Sequence, residues 1–432
     1  MIKLAAQLKH VMRNHTRSLS CAPSSPSAPC LVSLRTSAAI AGLYASPAPK
    51  TSPSNALSFH ALKLFIQQRV PPVVSALLVH RAHVLATMVL RLVFAPALVV
   101  AEVPLFGFGV GNLPHEHLEP LVTAAVADYG VRLVDTASAS QNERQLGEVL
   151  ATLGAAGAET QVLSKVWYTH LGFGRTRLSV ADSLAALQRP VLDVALLHWP
   201  ACRDDVPWMR CAEEEEALPA RVKAAGPSPL ELRDVPGREP WRDSWRALEA
   251  AQREGQVQHI GVSNFDLGQL RELLAFATVP PALLQGNVWA VVFDPHLMRF
   301  LVEHKILFQA YGALSGVLPS LAPPPDSTVQ RARSAAAMAE LEELRAVVSD
   351  RGRQLLTVPM LLLRWLMQQG VAVIPRSASV SHLEENAEAA AAASNPDTQL
   401  FPDEVKQVRS AVEGLLRASN GMPPRAGAKD EL

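Results

Sequence analysis

The first 101 residues contain no aspartate and no glutamate; the first carboxylate in the chain is Glu102. Ten lysines and arginines fall in that acid-free stretch, which leaves 30 basic and 40 acidic residues downstream, a balance of −10. A body of that sign lacks the basic face that phosphate contact requires, so nucleic acid is excluded as its partner. Cysteines are few, four in 432 residues, and none lies in a Cys-x-x-Cys or clustered Cys/His spacing. That excludes a structural zinc site, and no metal is expected. The spacing G-x-G-x-x-G is absent, although "GFGVGN" at 107–112 is glycine-rich. No Asn-x-Ser/Thr sequon occurs after residue 101. Tyrosine is as scarce as cysteine, with only four in the chain.

An acid-free leader containing Ser and Arg reads as a targeting region, and its Pro/Ser clusters predict that residues 1–60 do not fold. Residues 88–101 have the layout of a secretory signal peptide: Arg91, an apolar run from Leu92 to Val100, then small residues before Glu102. Residues 84–101 also reach the minimum length of a membrane anchor, with Arg91 and Pro96 against that reading. The chain ends Lys429-Asp430-Glu431-Leu432, the endoplasmic-reticulum retention tetrapeptide. An endoplasmic-reticulum lumen address is the expectation, with plastid or mitochondrion as the alternative and membrane contact only if 84–101 is retained. Cutting after Ala101 leaves Cys202 and Cys211, nine positions apart, either paired or as two unrelated thiols.

From Glu102 onward, short β-rich runs alternate with helical segments. Eight strand candidates occur: "LFGFGV", "VRLVDTA", "QVLSKVW", "VLDVALLHWP", "VQHIGVSN", "ALLQGNVW", "ILFQAYG" and "VAVIPRS". Several are nearly continuous apolar runs, as parallel strands covered by helices require. The spacing predicts helices over 116–128, 142–153, 176–188, 243–254, 266–276, 296–303, 338–368 (as two) and 381–392. Eight such units predict an α/β fold, a (β/α)8 TIM-type barrel over 102–432 behind a largely unfolded leader over 1–101. An open doubly wound sheet would carry the Gly-rich turn that is missing here. Polar residues close the successive strands: Asp135, Lys165, His198, Ser263 with Asn264, Gln285, Tyr311, and Arg376 with Ser377. Singly, each has a bland reading as a cap, a snorkelling chain or core packing. Together they mark the face on which barrel enzymes do their chemistry.

These same residues carry a resemblance to the aldo-keto reductases over roughly 102–416. "VDTASASQNERQLG" resembles the family signature Asp-Thr-Ala-x-x-Tyr-x-Asn-Glu-x-x-Gly. "LSKVW", "LLHWP", "GVSNF", "LLQGN", "AYGALSG" and "IPRSASVSHLEEN" follow in the family's order. The resemblance implies a small-molecule carbonyl substrate and NADPH bound across the barrel top; a monomer is the default expectation. Ser263, Asn264 and Gln285 would hold the nicotinamide carboxamide, with Tyr311 stacked on the ring. Arg376 and Ser377 would take the 2′-phosphate, while Glu385 and Asn386 match adenine contacts. His382 stands where the family carries an arginine.

The family's four catalytic residues are an aspartate, a tyrosine, a lysine and a histidine. Asp135, Lys165 and His198 match, but the tyrosine position holds Ser140. Asp135-Thr136-Ala137 and Asn142-Glu143 fix that register from both sides. Gly111 likewise replaces an aromatic, and 201–240 is a long Pro- and charge-rich loop whose "EEEE" is read as a solvated face. A serine hydroxyl is a far weaker acid than a phenol, and general acid catalysis is worth about 10²–10⁴-fold. Two readings follow: an NADPH-dependent reductase of aldehydes or ketones with weakened or rerouted proton delivery, or a non-catalytic NADPH-binding protein. Substitute donors would be protonated His198, a water held by Ser140, or Tyr168.

Overall fold

The computed structural model describes residues 103–418 apart from 207, 234, 316, 319–327, 353–355 and 396–397. The leader, the candidate signal peptide 88–101, the anchor reading of 84–101 and the retention tetrapeptide lie outside the described residues. Eight parallel strands pair in chain order. They are β1 (Phe108–Gly109), β2 (Leu133–Asp135), β3 (Gln161–Val166), β4 (Leu192–Leu197), β5 (Val257–Ser263), β6 (Leu283–Asn287), β7 (Leu307–Tyr311) and β8 (Ala372–Val373). The sheet closes on itself: Phe106 bridges Val373, with Val373 N donating to Leu105 O at 2.8 Å and Gly107 N to Val373 O at 3.0 Å. This is the barrel expected from the eight runs, and each observed strand falls inside its run.

Strand alternation builds the interior in two layers. Leu133, Leu163, Val194, Leu196, Leu283, Leu307 and Ala372, with Val103 beneath, form a separate buried apolar plug. Two residues further along five of those strands, the inward positions become Asp135, Lys165, His198, Gln285 and Gln309. The same period therefore sets an apolar floor and a polar ceiling. Gly261 shows how tightly the floor is filled, because a Cβ there would stand 2.8 Å from Leu196 Cδ2 and 2.6 Å from Leu283 O. The intervening positions, such as Val134, Val162, Val262 and Phe308, face outward into the larger core under the helices.

The helix ring follows the sequence reading with shifted ends. Asp266 caps Leu267–Phe276 through a capping box with Gln269, and Asp294 caps Pro295–Glu303 by accepting from His296 N and Leu297 N. The predicted pair over 338–368 is Thr328–Gly352 and Val358–Gln368, the second opened by the Thr357 cap and Pro359. The first begins ten residues early because "RARSAAAMAE" is rich in strong helix formers and free of proline. The stretch "NVW", read as strand, instead turns into the helix Val288–Val292, since Asn287 accepts from Trp289 N and Ala290 N. Also outside the predicted spans are Gly154–Glu159 and Pro402–Ala418, the latter packed on Thr328–Gly352. The segment 201–240 carries three short helices, Cys211–Glu216, Ala220–Ala224 and Pro229–Leu232.

Candidate active site

Asp135 is the hub of the polar ceiling. Its carboxylate accepts from Lys165 Nζ at 2.8 Å on both oxygens and from Gln285 Nε2 at 2.7 Å. Lys165 gives its third proton to the Thr136 carbonyl at 2.7 Å, so all three ammonium donors are engaged. Both ion-pair partners are buried, each about 5 % exposed, where removing either one strands a charge. Gln285 also donates to Gln309 Oε1 at 2.7 Å, which ties β2, β3, β6 and β7 through one carboxylate. Gln309 was not singled out from sequence; the alternation Leu307-Phe308-Gln309 was the signal that could have found it.

The turn bearing Ser140 is built by its neighbours. Asn142, buried, accepts from Thr136 Oγ1 at 2.7 Å and donates to Val110 O at 2.8 Å. Glu143 accepts from Ser164 Oγ at 2.5 Å, and burial raises its carboxyl above the ordinary range. Between these anchors Ser138–Ser140 makes one 3₁₀ turn, closed by Gln141 at φ 53°. Ser140 is half-buried at the barrel mouth beside Gly111: a Cβ built on residue 111 would meet only Ser140 Oγ, at 3.5 Å. The two positions where small residues replace aromatics are therefore adjacent in space.

His198 follows β4 directly and is half-buried, with its Nδ1 enclosed and unpartnered. Burial, reinforced by the Lys165 ammonium, holds its titration well below the usual imidazole range. The imidazole is thus neutral near pH 7, and the sequence-based route through protonated His198 does not fit this environment. Tyr168 fares no better as a donor: its hydroxyl bonds Glu214 Oε1 at 2.5 Å, and burial and that carboxylate push its titration far up. Trp167 stands edge-on to His198 with centroids 4.9 Å apart.

Asn264 adopts φ 60°, a left-handed conformation asparagine tolerates, and so points Nδ2 at His198 O (3.0 Å) and Ser263 Oγ (3.1 Å). Its Oδ1 accepts from Tyr311 OH at 2.7 Å, and burial pushes that phenol up to about 12. Ser263, Gln285 and Tyr311 lie on three consecutive strands, β5 to β7, with Asn264 directly after β5. Arg376 is exposed on the rim and donates to Gly111 O at 3.2 Å, while the buried Ser377 closes a turn by bonding Ser379 N and O. Glu385 and Asn386 lie on the helix Val380–Ser394; Glu385 accepts from Thr357 Oγ1 at 3.0 Å and Asn386 is buried. His382, on the same helix, is exposed. Two carboxamides, a hydroxyl, an aromatic ring and a rim guanidinium make a donor set that fits a nicotinamide dinucleotide.

The acidic run in 201–240 is a correction. Glu213 and Glu216 are exposed, but Glu214 accepts from Trp167 Nε1 at 2.7 Å as well as from Tyr168, and Glu215 forks onto the buried Arg175 at 2.9 Å. Half the run thus faces inward and fastens the segment to the barrel. Cys202 and Cys211 are joined as a disulfide. A cavity of about 910 Å³ lies behind Trp167, lined by Glu143, His170, Asp182, Glu214 and Arg221 among others. It sits beside the polar ceiling, against the outer helix Phe173–Leu187.

A closed eight-stranded parallel barrel thus brings Asp135, Lys165 and His198 together on its C-terminal face, where barrel enzymes do their chemistry. The profile of the Aldo/keto reductase family matches residues 105–412, and the chain belongs to that family. Among its relatives, a glyoxal reductase of Bacillus subtilis is 26% identical over 287 residues, covering 66% of this chain and 83% of that protein. An NAD(P)H-dependent D-xylose reductase of Scheffersomyces stipitis is 29% identical over 293 residues, covering 66% and 85%. The solved aldo-keto reductase of Bombyx mori in complex with NADP shares the fold, with a TM-score of 0.54 at 23% identity, covering 72% and 89%. Such relatives support NAD(P)H-dependent reduction of small carbonyl compounds in general.

Proposed function

We propose that this chain is an NADPH-dependent reductase of aldehydes or ketones whose proton does not come from a side chain at the tyrosine position. The observation that carries this reading is the intact Asp135–Lys165–His198 group at the barrel mouth, three of the four catalytic positions, beside a turn that keeps its register but bears Ser140. The bound cofactor supplies the hydride. Ser263, Asn264 and Gln285 would hold that cofactor's carboxamide, Tyr311 would support its ring, Arg376 with Ser377 would take the 2′-phosphate, and Glu385 and Asn386 would contact the adenine. The Lys165 charge and a neutral His198 N–H stabilise the alkoxide as it forms. A water beside Ser140, in exchange with bulk solvent that reprotonates it, would hand over the proton, since the Tyr168 hydroxyl is bound to Glu214. The Cys202–Cys211 bridge supports an oxidising compartment such as the endoplasmic-reticulum lumen.

One observation favours the second reading, a non-catalytic NADPH-binding protein: every Lys165 donor is already engaged within the protein. Purified protein is assayed for NADPH binding and for NADPH oxidation with a panel of aldehydes and quinones. Binding with turnover supports the reductase; binding with no turnover on any substrate sinks it in favour of the binding protein.

A further inference from the structure

Trp208 is a large apolar side chain left 53 % exposed at the barrel mouth. Its ring centroid lies 5.6 Å from that of Trp199 and 6.3 Å from that of Trp167, which in turn stands edge-on to His198. An aromatic wall thus runs from His198 outward to solvent, and its outer panel is the exposed indole.

That panel is held in place from both ends. The Cys202–Cys211 bridge closes the turn that carries Trp208, joining the stretch that follows His198 to the first residue of the helix Cys211–Glu216. Within the turn, Met209 is buried and its Sδ accepts from Arg203 N, and Arg233 pairs with Asp204. Beyond the bridge, Glu214 grips the Nε1 of Trp167, and Glu215 anchors the same helix to Arg175. One covalent bond therefore fixes the spacing between the indole at position 208 and the pair at 167 and 199. This segment lies between β4 and the helix Pro240–Arg253.

Resting on the reductase reading, we infer that Trp208 is a specificity-determining residue for planar conjugated carbonyls, aryl aldehydes above all, and that the Cys202–Cys211 bridge is its positioning element. A flat arene entering beside Trp199 and Trp167 stacks on a rigid indole wall, whereas a short alkyl chain presents no π-face to it. An aromatic pair of this kind is worth about 2- to 10-fold in affinity beyond the area it buries.

The experiment compares kcat/KM for 4-nitrobenzaldehyde with that for propanal in the native protein, Trp208→Ala, and the double variant Cys202→Ser/Cys211→Ser. Calorimetric titration of 4-nitrobenzaldehyde onto each protein gives a reading that needs no turnover. The expected result is that the aryl-to-alkyl ratio and the arene affinity both fall about 2- to 10-fold in Trp208→Ala, with the cysteine pair following it. Trp208 is exposed, so its alanine variant folds even if the cysteine variant does not. An unchanged ratio with unchanged arene affinity overturns the inference and leaves the reductase intact. Absence of turnover on either aldehyde sinks the reductase reading, and the calorimetry then decides: a loss of arene affinity in Trp208→Ala sustains the binding role, and no loss, or no binding by the native protein, overturns it.

Discussion

Replacing Ser140 by tyrosine returns a phenol to the turn that Asn142 and Glu143 hold in register. The ring would extend beside Gly111, where a Cβ would meet only Ser140 Oγ, at 3.5 Å. Its hydroxyl would arrive near Lys165, whose third donor now goes to the Thr136 carbonyl at 2.7 Å and would have to be shared. A general acid restored there raises kcat by about 10²–10⁴-fold, equivalent to roughly 2.7–5.5 kcal/mol of transition-state stabilisation. Ser140→Phe supplies the same ring without the hydroxyl, so the difference between the two variants isolates the proton from the packing. The assay is steady-state NADPH oxidation with one saturating aldehyde, alongside NADPH affinity from cofactor fluorescence. If both variants fold, bind NADPH as the native protein does, and turn over at equal rates, residue 140 is not where the proton enters and the reasoning fails.

Asp135→Ala leaves the buried Lys165 ammonium with only the Thr136 carbonyl, and urea unfolding at pH 7 should show a loss of about 3–5 kcal/mol; adding Lys165→Met should recover part of it. His198 takes up a proton only on unfolding, so below about pH 6.5 the unfolded state binds more protons and stability falls as pH falls. His170, also held low by burial, acts in the same direction. Between pH 7 and pH 5, His198→Gln should therefore lose less stability than the native protein, by up to about 2 kcal/mol in matched denaturant titrations. Arg376→Ala should weaken NADPH binding about 10- to 100-fold and NADH binding far less, because only the 2′-phosphate loses a charge-assisted partner; calorimetric titration of both cofactors checks the contrast.

The barrel was legible because its signal repeats. Eight apolar runs of strand length, seven of them ending in a polar residue, specify inward floor and ceiling positions by alternation, as Leu133/Asp135 and Leu163/Lys165 show. What sequence missed was tertiary. The strand-like "NVW" became a helix because the Asn287 side chain captured two backbone amides. The acidic run at 213–216 split by face, a helical periodicity too short to register over four residues, and its inward partners Trp167, Tyr168 and Arg175 lie some forty residues upstream. The neutral state of His198 was equally out of reach, since it depends on enclosure of the ring and on the nearness of Lys165. Ser140, by contrast, was fixed by its flanks, and the structure keeps it on the turn those flanks build.

The barrel's seam has a consequence for where the folded unit can begin. β1 and β8 are each two residues long, and closure relies on Leu105, Phe106 and Gly107 gripping Val373, with Val103 stopping the floor from below. Trimming that stays upstream of Val103 leaves every one of these contacts in place. Removing even the next five residues would withdraw the stopper and unzip the first and last strands together, exposing two unpaired edges where now there is none. Among the described residues, the barrel therefore tolerates no shortening past Val103 without opening its seam.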